Sequence, residues 1–149
     1  MSEMNTLSTE SFVLKEVSGR VGCITLNRPK ALNALSLSMV RDLTKALLEF
    51  QNNPQVLAVL VRGHGKESPF GHFCAGGDIR FFHQAALAGD ASLGDFFTEE
   101  YALNHLIHTY TKPYIAFMDG VVMGGGMGIS QGASVRIVTD KTQMAMPET

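Results

Sequence analysis

A chain of 149 residues, 45% hydrophobic and 17% charged with a formal net charge of -2, has the make-up of one ordinary globular domain. At that length a domain buries roughly 70% of the surface that its unfolded chain exposes, so the sequence can own a core. The near-neutral balance gives no electrostatic footprint for nucleic acid or an anionic membrane, no apolar run approaches transmembrane length, and Cys23 and Cys74 are too few for a disulfide framework.

The N-terminus, MSEMNTLSTESF, lacks the apolar core of a signal peptide and carries Glu3 and Glu10, unlike an Arg-rich transit peptide. Together with the cysteine usage this predicts a cytoplasmic protein, although a processed organellar protein would read the same. Residues 1–11 are expected to form a flexible segment. In SFVLKEVSGRVGCITLN, a Ser18-Gly19 turn separates Phe12, Leu14 and Val17 from Val21, Cys23, Ile24 and Leu26, which predicts a β-hairpin. An irregular segment, RPKALNAL, follows. A helix is predicted from the N-cap Ser36, with Leu37, Val40, Leu43, Leu47 and Phe50 at helical spacing and Asn52-Asn53-Pro54 as its stop.

The run VLAVLVRG, ending at Gly63, predicts a buried strand. Beyond a polar, Gly-rich loop, DIRFFHQAAL predicts a short helix and LGDFFTEEYALNHLIHTY a longer one. PYIAFMDG is an apolar strand broken at Gly120, GGGMGISQGA a helix opened by three glycines, and SVRIVTD and TQMAM are strands. Strands alternating with helices predict an α/β layering.

Two of these stretches raise a question of chemistry. In CAGGDI (74–79) and MGGGMG (123–128), glycines follow an apolar run and lead toward a helix. Glycine is costly in backbone entropy, so such clusters need a reason. Tight packing is one; the other is a backbone whose free N–H groups approach an anion or a developing oxyanion. Spacing alone leaves both open. A dinucleotide fingerprint would need glycine where Ile129 stands, and no GK[ST] phosphate loop occurs.

Among the carboxylates, Glu148 follows Pro147 at a strand end, where catalytic groups project from α/β sheets; by itself it reads more readily as an ordinary helix-start residue. Glu99 and Glu100 are expected on a solvated helix face, and Asp78 as a helix cap. His64 and His72 flank a loop, while His105 and His108 share a helix face. No third ligand stands at metal spacing, so no metal site is expected. Cys74 reads as a buried structural thiol, and Met118, Met123, Met127, Met144 and Met146 as core filler, with an adaptable acyl-pocket lining as the lesser reading.

In combination, ITLNRPKALNALSLSMVRDL, FCAGGDIRFF, KPYIAFMDGVVMGGGMGIS and MAMPET resemble the enoyl-CoA hydratase/isomerase (crotonase) superfamily. Within it, AGGDIR, EEYALN, MGGGMG and MPET together are most similar to the 3-hydroxyisobutyryl-CoA hydrolases. The resemblance implies an α/β spiral of repeated ββα units, with residues 12–149 as its N-terminal part and the C-terminal helices lying beyond. It implies that the Gly77 and Gly125 amides form an oxyanion hole for a thioester carbonyl. Coenzyme A, as part of the substrate and with no separate cofactor, would lie along RPKAL and CAGGDI. Lys30 would approach its phosphates, backbone groups near Ala31, Ala75 and Ile79 would hold the adenine end, and Asp78 would be a further substrate-binding residue.

Hydratases of this pattern carry a catalytic Glu at the position of Gly128, so the two-glutamate water-addition machinery is incomplete here. Glu148 matches the acid that hydrolases retain, Glu100 matches their substrate-contacting Glu, and a further Asp of the pattern lies past Thr149. The implied function is acyl-CoA thioester hydrolysis in valine breakdown, with Glu148 as nucleophile or general base. The alternatives are an enoyl-CoA hydratase or isomerase, and a non-catalytic module binding acyl-CoA or a partner chain. A chain ending at Thr149 is expected to expose apolar surface, and so to form a homo-oligomer or to need the missing segment.

Overall fold

The computed structural model describes residues 11–65 and 71–146. Residues 1–10 of the segment expected to be flexible, and Glu148, lie outside them. The first two strands, β1 (Val13–Ser18) and β2 (Val21–Leu26), form the expected antiparallel hairpin, with Val13 opposite Leu26 and Gly19 turning the chain at φ +61°. Within β1 only Val13 is buried, while Gly22, Ile24 and Leu26 of β2 all point into the core. Phe12, Leu14 and Val17 are therefore exposed, as suits an edge strand.

RPKALNAL is not wholly irregular: Pro29–Ala31 make a 3₁₀ turn, followed by Leu32 and Asn33 at positive φ. The helix α1 (Leu37–Asn52) starts at the predicted cap, where Ser36 Oγ accepts from the Met39 amide at 3.3 Å. At its other end the Lys112 ammonium donates to the Phe50 and Asn53 carbonyls at 2.6 and 2.8 Å, adding to the turn bonds these oxygens accept from the Asn53 and Val56 amides. Its buried side chains, Met39, Val40, Leu43, Ala46, Leu47 and Phe50, follow the 3.6-residue period.

The remaining elements are β3 (Ala58–Gly63), α2 (Ile79–Ala88), α3 (Ser92–His108), β4 (Tyr114–Met118), β5 (Val121–Met123), α4 (Gly125–Gln131), β6 (Val135–Val138) and β7 (Gln143–Ala145). The large sheet has the order β1-β2-β3-β4-β6 and is parallel beyond the hairpin; β5 and β7 pair in parallel as a second, smaller sheet. Gly120 (φ +61°) does break the apolar run, and the chain passes there from one sheet to the other. Three residues of β5 give no periodic signal of their own, which is why the sequence did not separate them.

A repeating unit emerges: a strand in the large sheet, a short line in the small one, then a helix. In β4–β5–α4 it is complete. After β3 the small-sheet line is reduced to Cys74, which bridges Val122 in parallel before α2 begins. This is the α/β spiral that the sequence motifs implied. One continuous core fills the space between the large sheet and the helices, joining Ile24, Val59, Val61 and Tyr114 to Leu43, Leu47, Leu103 and Ile107. Met118 belongs to that core, and Met123 and Met127 are half-buried. Met144 and Met146 are not core filler: both are exposed, as is every residue of β6.

Candidate active site

The Cys74–Val122 bridge sets a register between the two glycine segments. Three residues on from each partner stand Gly77 and Gly125, so matched positions on successive units lie side by side. Strand-like bonds lock this alignment: the Cys74 amide donates to Val121 O and the Met123 amide to Cys74 O, each at 3.0 Å. A Cβ built on Gly125 would lie 3.5 Å from the Gly77 nitrogen. Gly76 (φ +109°) and Gly124 (φ +51°, ψ −115°) precede them in backbone conformations open to glycine but rarely to L side chains. Among the described residues neither the Gly77 nor the Gly125 N–H has a backbone acceptor.

A carboxylate stands beside these amides. A Cβ on Gly125 would lie 2.8 Å from Glu100 Oε1. Glu100 belongs to the buried stripe Phe96, Glu100, Leu103, Ile107 of α3 and is only 8% exposed, which corrects the expectation of a solvated face. That expectation holds for Glu99, which pairs with Arg41 of α1 through two 2.8 Å bonds. Burial raises the Glu100 carboxyl above its ordinary value, since the charged form loses hydration. Cys74 is fully buried and pushed up to about 12, first by burial and further by the Glu100 charge, so it is an inert thiol at neutral pH.

Below Gly125 in α4, Gly128 faces Asn104 of α3: a Cβ there would lie 2.8 Å from the Asn104 Nδ2. Asn104 Oδ1 is buried and has no hydrogen-bond partner among the described residues. Asn104 closes the EEYALN motif, yet its role was not read from the sequence; the signal that could have found it is its helical offset of four from Glu100.

The segments RPKAL and CAGGDI run together, as expected. The Ala75 amide donates to Leu32 O at 3.0 Å, and Leu35 accepts from Asp78 and donates to Gly76. Asp78 caps α2 through the Phe81 amide and pairs with Arg28 at 2.9 Å. Burial pushes its carboxyl up, but the Arg28 guanidinium and the Phe81 and Arg80 amides outweigh this and hold it below the usual value. Ala31 spends both backbone groups inside its own turn, bonding Arg28 O and the Ala34 amide. Ile79 opens α2 with an exposed side chain. Lys30 lines a cavity of about 610 Å³ with Lys141, His64 and His72; Gly77, Gly125 and Glu100 do not border it.

A residue missed in the sequence holds the first loop in place. Asn33 is fully buried at φ +59°, a conformation asparagine tolerates, and its carboxamide accepts from the Arg28 amide and donates to the His64 and His72 carbonyls. Among the described residues no cluster of metal-ligating side chains occurs, and no helix is long and apolar enough to cross a membrane. His105 and His108 are exposed.

This arrangement has close counterparts. The family profile for enoyl-CoA hydratase/isomerase matches residues 21–149. The mitochondrial 3-hydroxyisobutyryl-CoA hydrolase of Danio rerio is 48% identical over 93% of the chain and 35% of its own length. The Homo sapiens protein of that name is 43% identical over 92% of the chain and 34% of its own length. Among solved structures, a carnitinyl-CoA dehydratase from Mycobacterium thermoresistibile superimposes with a TM-score of 0.87 at 45% identity, covering 93% of this chain and 40% of that one. An enoyl-CoA hydratase from Rhodobacter sphaeroides gives 0.84 at 41% identity, covering 92% and 40%. The chain belongs to the enoyl-CoA hydratase/isomerase (crotonase) family. It spans about a third of the length of the curated relatives it matches.

The cytoplasmic placement expected from the N-terminus is overturned by these comparisons, because the fish, chicken and human relatives are all named mitochondrial. The physical reason is simple. Import signals are removed after they act, so the composition of a folded domain does not register its compartment.

Proposed function

We propose that the chain forms part of an acyl-CoA thioester hydrolase acting on 3-hydroxyisobutyryl-CoA, in the breakdown of valine. The observation that carries this reading is the side-by-side placement of the Gly77 and Gly125 amides next to the buried Glu100 carboxylate. The two N–H groups form an oxyanion hole: they donate to the thioester oxygen as the carbonyl carbon becomes tetrahedral and negative charge moves onto that oxygen. One such donor is worth about 3–4 kcal/mol of transition-state stabilisation. Glu100 orients the hydroxyl of the acyl group. Glu148 either attacks the carbonyl carbon, giving an acyl anhydride that water opens, or takes a proton from the attacking water. In both routes the C–S bond breaks, coenzyme A leaves as the thiol and the acyl group ends as a carboxylic acid. The route uses water and groups of the protein alone. Lys30 lies near the CoA phosphates, and the segments bearing Ala31, Ala75, Asp78 and Ile79 flank its adenine end.

A second reading is favoured by the solved relatives named as a dehydratase and a hydratase. It is addition or removal of water at the enoyl-CoA double bond, with acid–base groups other than position 128. The two separate in one experiment. Thiol release from 3-hydroxyisobutyryl-CoA, followed beside enoyl absorbance, is expected to occur and to vanish in Glu148→Ala; release that persists in the variant removes Glu148 from the mechanism. Absorbance change without thiol release favours the hydratase. Tight thioester binding with neither reaction leaves the binding module.

A further inference from the structure

Two turns of α3 meet two turns of α4. Asn104 stands one turn after Glu100, and Gly128 about one turn after Gly125, so the four residues form two rungs. In each rung a polar side chain of α3 occupies the space over a glycine of α4: a Cβ on Gly125 would lie 2.8 Å from Glu100 Oε1, and one on Gly128 2.8 Å from Asn104 Nδ2. Asn104 Oδ1 is buried and meets no donor among the described residues. Such a group is uncommon in a folded protein, because its lost hydration goes uncompensated until a partner arrives.

We propose that Asn104 is a specificity-determining residue of the acyl pocket, reading with Glu100 a hydroxyl group on the acyl chain of the CoA thioester. This rests on the acyl-CoA reading above. A hydroxyl has a proton to donate and an oxygen that accepts. An ionised carboxylate such as Glu100 only accepts, so it satisfies the proton and leaves the hydroxyl oxygen without a donor. The carboxamide of Asn104 completes the set through Nδ2, and its Oδ1 offers a second acceptor to a hydroxyl turned the other way. An acyl chain with hydrogen in place of the hydroxyl would leave both α3 side chains desolvated and unpaired, the arrangement that discriminates most strongly. Gly128 makes this possible: any side chain there begins within hydrogen-bond distance of the carboxamide and displaces it. The position that carries an acid in the hydratase pattern is here the seat of Asn104.

The test is isothermal titration of the 149-residue chain with non-hydrolysable thioether analogues of 3-hydroxyisobutyryl-CoA and isobutyryl-CoA. The parent chain is expected to bind the hydroxylated analogue at least about tenfold more tightly, the equivalent of one good hydrogen bond. Asn104→Leu, similar in size, is expected to reduce that ratio to about twofold while keeping the isobutyryl affinity within about twofold. Asn104→Ala takes its place if the leucine variant does not fold. An unchanged ratio in a folded variant, equal weakening of both analogues, or a parent that does not discriminate each overturns the role of Asn104. A parent that binds neither analogue overturns the acyl-CoA reading itself, and this assignment with it.

Discussion

Glu100 occupies the apolar stripe of α3 between Phe96 and Leu103, where a carboxyl group loses hydration and, among the described residues, finds no hydrogen-bonding side chain in return. The sign of the consequence follows from its raised folded value. Between the ordinary value of 4.5 and that higher one the folded chain holds more protons than the unfolded chain, so stability falls as pH rises through this interval. Glu100→Gln keeps the shape and removes the charge. It is expected to be more stable than the parent at pH 7 and to lose that advantage as pH falls through the raised value, with none of it left below about 4.5. Urea unfolding at the two pH values measures this, and an advantage of equal size at both would show that charge is not its cause. Destabilised groups of this kind collect where function needs them. The sequence placed Glu100 on the right helix but on the wrong face, because two adjacent glutamates look alike until the apolar residues four before and three after are counted.

The two glycine segments differ in what surrounds each residue, and that difference is testable. A methyl on Gly126 would lie 2.3 Å from the Cys74 carbonyl oxygen, part of a backbone fixed by the inter-segment bonds. Gly126→Ala is therefore expected to cost about 2–3 kcal/mol in unfolding free energy, as other overpacked sites do. A methyl on Gly125 meets the end of the rotatable Glu100 side chain instead and stands over the gap between the two amides. Gly125→Ala is expected to keep stability within about 1 kcal/mol of the parent and to lose thioester binding. The reverse ranking in unfolding and titration would refute the placement of the site between these segments. Much of this element-level picture was legible beforehand: the hairpin, the Ser36 cap, the helix periods and both glycine clusters carry local signals. The Cys74–Val122 register, the buried Asn33 and the Asn104–Gly128 contact were not legible, since each is a long-range contact with no period or spacing of its own.

For the whole molecule, the large sheet ends on β6, whose four residues are exposed, with Val135, Ile137 and Val138 among them and Met144 and Met146 close by in sequence. An edge strand with apolar side chains is a template for pairing with another chain. The 149-residue chain is accordingly expected to self-associate, and Ile137→Lys to suppress this; sedimentation velocity over a concentration series decides, and a parent that stays monomeric throughout would refute it. The Cys74–Val122 bridge has a different consequence. The Gly77 and Gly125 amides come from distant parts of the sequence and meet only when the fold is complete, so the unfolded chain has no version of the site. Any ligand spanning the two amides must then draw the folding equilibrium toward the native state, adding about 2.7 kcal/mol at a hundred times its dissociation constant. Folding and recognition are thermodynamically linked here, and the chain's melting curve doubles as a sensor for whatever molecule fits.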